Sequence, residues 1–138
     1  MDETIARSMD EMLELGRELS HSIKDGDIIC FSGELGAGKT TLIKGIISQL
    51  TGCDIDQVTS PTFTYLQEYN SLVHFDLYRL NDPEQFSGMG FDEYFSSDRI
   101  CLIEWPQRIK DLIPNHKSVE IYHIDGGRKI HTTLRRNS

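Results

Sequence analysis

The sequence has little positive charge for its length. Its 138 residues carry 14 Lys and Arg against 22 Asp and Glu, which gives a net charge of −8. Because nucleic-acid binding through phosphates requires clustered basic side chains, this balance argues against strong direct binding of nucleic acid. The C-terminal "LRRNS" at 134–138 is the only dense basic cluster, and it is too short to change that expectation.

Cysteines and long apolar runs are also scarce. Cys30, Cys53 and Cys101 form an odd set without a C-x-x-C pair, so we predict reduced structural thiols and no metal or redox site. No apolar stretch approaches the length of a membrane span. The N-terminus, "MDETIARSMDEM", is acidic and unlike a signal peptide. We therefore expect a cytoplasmic protein without a membrane role, with one domain over 1–138.

The hydrophobic pattern predicts an α/β fold. Helical spacing runs over 5–23 and again over 42–50, where Gly52 would end the helix. Continuous apolar runs at 28–32 and 99–105 predict buried strands. We also expect paired strands at 63–69 and 72–80, a hairpin around "DGG" (125–127), and short helices over 91–95 and 106–114. The result would be a single P-loop NTPase-like domain with a mixed sheet, flanking helices and antiparallel hairpins.

A glycine-rich segment, "GELGAGKTTL" at 33–42, fits the spacing G-x-x-x-x-G-K-[ST] and lies between a predicted strand and a predicted helix. Its glycines let consecutive N–H groups point into one concavity, and the helix N-terminus adds partial positive charge. Lys39 would reach the β- and γ-phosphates, and the Thr40 hydroxyl is a natural ligand for Mg²⁺. The segment predicts binding of a nucleotide with its metal.

Two acids could complete such a site. Glu104 ends the apolar run "ICLIE" and is the better candidate Mg²⁺ ligand, while Asp76 within "HFDLYR" is a candidate for positioning water. Either could equally be a solvated acid at the end of a strand. His74, Asp76 and Tyr78 alternate, so they should share one face of a strand. The loop "SPTFT" (60–64) offers hydroxyls that could meet a γ-phosphate or could simply form a rigid turn.

Several kinds of nucleotide protein remain possible. No N-K-x-D segment follows the loop, so the usual guanine-reading pair is missing. A small-molecule kinase needs an acceptor site and an arginine-bearing lid, and 81–98 makes a poor lid. An ATPase that drives a change in a partner fits the short chain best. A metabolite kinase and a non-hydrolysing nucleotide-binding regulator remain alternatives.

The segments "GELGAGKTTL", "SPTFT", "HFDLYRL", "MGFDEYF" and "IEWPQ" resemble the consecutive blocks of the TsaE family, formerly YjeE. The resemblance covers about residues 8–130. It implies a bacterial ATPase required for threonylcarbamoyladenosine formation in tRNAs that read codons starting with A. Such a protein binds the TsaD–TsaB heterodimer and uses ATP to reset it between turnovers, with weak hydrolysis on its own.

The resemblance also implies roles for particular residues. Thr40 and Glu104 would hold Mg²⁺, Lys39 and Glu104 would be catalytic, and Asp76 would be a catalytic or water-ordering acid. Contacts to ATP would come from Gly36, Ala37, Gly38, Lys39, Thr40, Thr41, Thr62, Trp105 and Arg128. Met12 stands where the family often has a threonine, on the adenine side. We expect the "SPTFT" loop and the surroundings of Trp105 to face the partner.

Overall fold

The computed structural model describes residues 2–61 and 63–134. Within them, seven strands form one sheet: β1 (Asp2–Ala6), β2 (Ile28–Gly33), β3 (Leu66–Tyr69), β4 (Leu72–Asp76), β5 (Ile100–Glu104), β6 (Lys117–Ile124) and β7 (Gly127–Thr132). The helices are α1 (Met9–Ser20), α2 (Lys39–Thr51) and α3 (Pro83–Gly88). Three 3₁₀ segments cover Ile55–Gln57, Phe91–Ser96 and Pro106–Leu112.

The sheet is mixed, with strand order β1-β7-β6-β2-β5-β4-β3. Strands β6, β2, β5 and β4 run parallel to one another, while β3, β7 and β1 pair antiparallel to their neighbours. This confirms the predicted mixed α/β fold with antiparallel hairpins. The carboxyl ends of β2, β5 and β4 meet at one edge, which is where open α/β sheets bind ligands.

Each face of the sheet is covered by a different set of elements. Helices α1 and α2 pack against one face, and they approach closely because Gly16 and Gly45 sit where they cross. A Cβ at either glycine would collide with a backbone carbonyl of the opposite helix. The other face is covered by α3 and the 3₁₀ segments Phe91–Ser96 and Pro106–Leu112, with an aromatic cluster of Phe75, Phe86, Phe91, Tyr94 and Phe95.

The prediction of an N-terminal helix over 5–23 was wrong about where the helix begins. Residues 2–6 form β1, which pairs with β7, and the helix begins at Met9. Ser8 caps it, because its hydroxyl accepts from the Glu11 N–H at 3.1 Å while the Glu11 carboxylate accepts from the Arg7 N–H at 2.8 Å. The partner of β1 is far away in sequence, so local spacing carries no sign of the pairing.

The strands predicted over 63–69 and 72–80 are shorter in the structure. Strand β3 begins at Leu66, after Tyr65 takes a left-handed conformation with φ 68°. Strand β4 ends at Asp76, whose carboxylate accepts from the Tyr78 N–H at 3.1 Å and so turns the chain. Tyr78 therefore lies beyond the strand and does not share its face with His74 and Asp76, contrary to the prediction.

The helix predicted over 106–114 is a 3₁₀ segment, Pro106–Leu112, interrupted at Ile109 (φ −133°, ψ 29°). The short helix predicted over 91–95 is likewise 3₁₀. All three cysteines are free thiols, and Cys30 and Cys101 are buried. Burial raises the pKa of both buried thiols to about 12, which makes them unreactive. Among the described residues, no helix is long and apolar enough to span a membrane.

Candidate nucleotide-binding site

The glycine-rich loop links β2 to α2 and ends at the first turn of that helix. Gly36 and Gly38 have φ of 78° and 101°, a left-handed conformation that glycine adopts without strain. Gly38 stands at the N-cap of α2. Because glycine has no side chain that could accept a hydrogen bond there, no such cap occupies the N–H groups of the first turn. A helix N-terminus with open donors and its partial positive charge is suited to binding phosphate.

Lys39 is nearly buried at the start of α2, with 5% of its surface exposed. Its ammonium donates to the Gly33 carbonyl and lies 3.8 Å from the centroid of the Trp105 ring. Burial lowers the pKa of Lys39, and the nearby carboxylates of Glu104 and Asp76 oppose that shift. Trp105 itself is held in a left-handed conformation, φ 61° and ψ 51°, directly after β5.

The two acids are neighbours across the sheet. Asp76 ends β4 and Glu104 ends β5, and the two are register partners in the parallel ladder. Burial raises the pKa of the Asp76 carboxyl, and the Glu104 charge raises it further. Ser60 donates to Asp76 at 3.4 Å, so the residue before Pro61 does reach this acid. Two carboxyl groups next to each other under a phosphate loop favour binding of a cation between them and the phosphates.

Glu104 is buried, with 3% of its surface exposed, and both of its oxygens have partners. The Thr40 hydroxyl lies 3.5 Å from Glu104 Oε1, and the His74 ring nitrogen Nε2 lies 2.8 Å from Oε2. Among the described residues, no three His, Cys, Asp or Glu side chains cluster as a complete metal site. Mg²⁺ at nucleotides takes one or two protein ligands and completes its shell with phosphates and water, so Thr40 with Glu104 fits that metal.

These groups line one cleft of about 840 Å³, within the range of small-ligand sites. Residues 35–39 of the phosphate loop line it. Ala6, Arg7 and Ser8, at the junction of β1 and α1, form one wall, and the hairpin turn before Arg128 forms another. The other lining side chains include Met9, Met12, Thr41, Asp76, Tyr78, Glu104 and Trp105. Met12 packs against the phosphate loop, since a Cβ at Gly38 would lie 2.9 Å from its terminal methyl.

The structure brings together the described residues that the sequence assigned to nucleotide, metal or catalysis. Gly36 to Thr41, Asp76, Glu104, Trp105 and Arg128 all line the cleft. Arg128 points at the loop itself, because its Nε donates to the Ala37 carbonyl at 3.2 Å and its Nη2 to the Gly36 carbonyl at 3.4 Å. Thr62 lies outside the described residues.

Two parts of the candidate site were not predicted from the sequence. Alternation along the sequence marks His74 only as part of a strand, and its contact with Glu104 depends on the register of β4 with β5. The wall made by Ala6 and Arg7 depends on β1, which was predicted as helix. The pair Ser8 and Glu11, spaced as S-x-x-E, is a signal of helix start that would have placed this junction correctly.

A phosphate loop at the carboxyl end of the central parallel strands, with a threonine and an acid converging beneath it, defines a P-loop nucleotide-binding protein. A family model described as "Threonylcarbamoyl adenosine biosynthesis protein TsaE" matches residues 6–132. The chain belongs to the TsaE family.

Similar proteins agree with that membership. The "tRNA threonylcarbamoyladenosine biosynthesis protein TsaE" of Haemophilus influenzae is 40% identical over 80% of this chain and 72% of its own length. The protein of the same name from Bacillus subtilis is 42% identical over 68% of this chain and 60% of its own length. The crystal structure of Bacillus subtilis YdiB superposes with a TM-score of 0.76, at 30% identity, over 97% of this chain and 86% of that one.

Proposed function

We propose that this chain is a Mg²⁺-dependent ATPase, a single domain over 1–138, that acts in threonylcarbamoyladenosine biosynthesis for tRNAs reading codons that start with A. Family membership and the names of its relatives support the pathway. The observation that carries the activity is the convergence of Thr40 and Glu104 at 3.5 Å beneath the phosphate loop. The net charge of −8 supports a role beside tRNA chemistry without strong direct tRNA binding, and we propose that the protein acts in the cytoplasm.

Each side chain has a role that follows from its position. The loop N–H groups from Gly36 to Thr41 and the Lys39 ammonium bind the phosphates. Thr40 and Glu104 hold Mg²⁺, which when bound neutralises charge on the phosphate oxygens. Asp76 is a base or water-ordering acid, because burial raises its pKa toward the range where a carboxylate accepts a proton efficiently.

The energy of hydrolysis is used, we propose, to reset a TsaD–TsaB heterodimer between turnovers. Exposed apolar side chains near the cleft support a protein partner on this side. Phe63 is 78% exposed in the "SPTFT" loop and stacks under the Arg79 guanidinium at 4.9 Å, and Leu35 of the phosphate loop is 64% exposed. Thr62 is the proposed residue that senses the γ-phosphate, and Trp105 lies between nucleotide and partner.

Turnover of ATP with and without TsaD–TsaB tests this function. Lys39→Ala and Glu104→Ala should each lower turnover by about 10²-fold or more, as loss of one preorganised electrostatic group does. Lys44→Ala, on the same helix but outside the cleft, is the matched control. We expect the partners to change the wild-type rate.

Two results would favour the alternatives. Phosphorylation of a metabolite without any partner would indicate a kinase. Tight nucleotide binding with turnover that Glu104→Ala does not lower would indicate a passive regulator.

A further inference from the structure

His74 is a buried polar side chain with no part in the roles given above. It is 1% exposed, within β4, two residues before Asp76 on the same face of the strand. Its ring nitrogen Nε2 lies 2.8 Å from Glu104 Oε2, and both side chains are almost entirely shielded from solvent. An ionised carboxylate only accepts hydrogen bonds, so the ring donates from Nε2.

The other ring nitrogen has no partner that would explain a polar side chain at this position. His74 Nδ1 is buried and has no hydrogen-bond partner within residues 2–61 and 63–134. A buried polar atom without a partner is unfavourable, and an apolar side chain of the same size would avoid it. Packing alone therefore gives no reason for an imidazole at this position, whereas the contact with Glu104 does.

We propose that His74 is a positioning residue for the metal ligand Glu104, an inference that rests on the proposed ATPase function. The hydrogen bond to Oε2 fixes the rotation of the carboxylate, so that Oε1 stays beside the Thr40 hydroxyl at 3.5 Å. Metal-ligating carboxylates depend on such outer partners for their orientation. Without His74, Glu104 would be a buried acid free to turn away from the phosphate loop.

The register of the sheet makes this arrangement possible. His74 pairs with Leu102, and Asp76 pairs with Glu104, in the parallel ladder of β4 and β5. His74 is thus a diagonal neighbour of Glu104 on one face, a separation that a long side chain can span. Tyr78 and Trp105, whose rings lie 4.9 Å apart, line the same cleft as the two acids.

Four substitutions separate positioning from packing. His74→Met fills similar space without a donor. His74→Gln keeps an amide N–H that can reach the place of Nε2, and His74→Asn carries the same amide one methylene short of it. Val73→Ala is the matched control, since Val73 is fully buried on the opposite face of the same strand. Thermal unfolding of each variant reports the loss of stability.

The measurement is the affinity for a fluorescent ATP analogue, first in EDTA and then across a Mg²⁺ titration. We expect His74→Met and His74→Asn to raise the half-saturating Mg²⁺ concentration by about 10–100-fold, the usual effect of removing an outer partner of a ligand. His74→Gln and Val73→Ala should stay close to wild type. Affinity in EDTA should be the same in all of them. If His74→Met does not fold, the matched amide pair decides the result.

Glu104→Gln distinguishes failure of this inference from failure of the proposed function. If that variant raises the Mg²⁺ requirement and neither His74→Met nor His74→Asn does, His74 does not position the ligand. If the His74 variants weaken binding equally in EDTA, their effect is one of packing and the inference is wrong. If the wild type binds no nucleotide, or binds it independently of Mg²⁺, the proposed site fails and the inference falls with it.

Discussion

The Lys39 ammonium rests on the face of the Trp105 ring, 3.8 Å from its centroid. The same ammonium donates to the carbonyl of Gly33, at the start of the phosphate loop. A cation over an indole is stabilised by about 0.5–2 kcal/mol, more when it is shielded from water. Without nucleotide, the lysine that should bind phosphate is thus already held by two groups of the protein, and phosphates must compete with them.

The first prediction follows from that contact. Trp105 is the only tryptophan in the chain, so intrinsic fluorescence reports on its surroundings alone. Adding ATP or ADP should change its emission, because the phosphates draw the ammonium away from the ring. Lys39→Met should give part of the same change without nucleotide and no further response to it. Identical emission from the wild type with and without saturating nucleotide would contradict the expected displacement.

Arg128 should act on the nucleotide through the shape of the loop. It donates to the carbonyls of Gly36 and Ala37, and so keeps those oxygens turned away from the phosphates. Hydrogen bonds from charged groups are worth about 1.5–3 kcal/mol, and partial exposure lowers that figure here. We expect Arg128→Ala to weaken nucleotide affinity about tenfold, which corresponds to about 1.4 kcal/mol.

Lys129→Ala is the control for that measurement, because Lys129 is the next residue on β7 and lies toward Tyr122, away from the loop. It should bind nucleotide as the wild type does. Titration of a fluorescent nucleotide against each variant measures the affinities. Equal losses in both variants would mean that charge alone, and not the contact with the loop, sets the effect.

The close crossing of α1 and α2 should depend on glycine. Alanine at Gly16 would place a methyl group against the backbone oxygen of Leu42, which no rotamer change can relieve. Overpacking costs about 1–3 kcal/mol or more, whereas the better helix propensity of alanine returns only about 1 kcal/mol. The 2.3 Å approach to a backbone oxygen puts this cost at the upper end of its range, so Gly16→Ala should lower stability by about 1–2 kcal/mol in chemical denaturation.

Gly88→Ala is the matched control for that crossing. Gly88 also lies in a helix, but nothing is within 4 Å of an added Cβ there. It should leave stability unchanged or raise it by up to about 1 kcal/mol. If Gly16→Ala were as stable as Gly88→Ala, α1 and α2 would be able to move apart without loss of stability. The close approach of the two helices would then not require glycine.

Asp76 should make the free protein less stable at neutral pH. Burial, and then the charge of Glu104, raise the pKa of Asp76 above its reference value of 3.8. An acid with a raised pKa opposes folding as the pH rises through that value, because the folded state holds the proton more tightly. Asp76→Asn should therefore gain about 0.5–1 kcal/mol at pH 7 to 8, the low end for single stabilising changes.

That gain should shrink as the pH falls, because the raised pKa lets the wild-type carboxyl take up its proton in the folded protein before it does so in the unfolded chain. Urea unfolding across pH 4 to 8 measures the difference. The asparagine keeps an oxygen that can accept from the Tyr78 N–H, so the turn after β4 is preserved. A variant less stable than the wild type at pH 7 would show that ionised Asp76 is favourable to folding.

Much of the fold could be predicted because the sequence patterns of its central strands and of α2 are local. The buried strands at 28–33 and 100–104 are continuous apolar runs, and α2 shows clear helical spacing between Gly38 and Gly52. The errors fell where a distant partner decided the outcome. Strand β1 exists because β7 pairs with it, and β4 stops at Asp76 because its own carboxylate bonds to the backbone beyond it.

From sequence alone, a phosphate loop is expected between a strand and a helix, since local backbone chemistry requires the glycine spacing, the lysine and the threonine. The sequence also supplied the two candidate acids. The folded chain was needed to show that they are register partners, that Glu104 reaches Thr40 with one oxygen and His74 with the other, and that Arg128 bonds to the loop. Those relationships depend on strand order and register, which are set by pairing and burial across the whole sheet and not by any short segment.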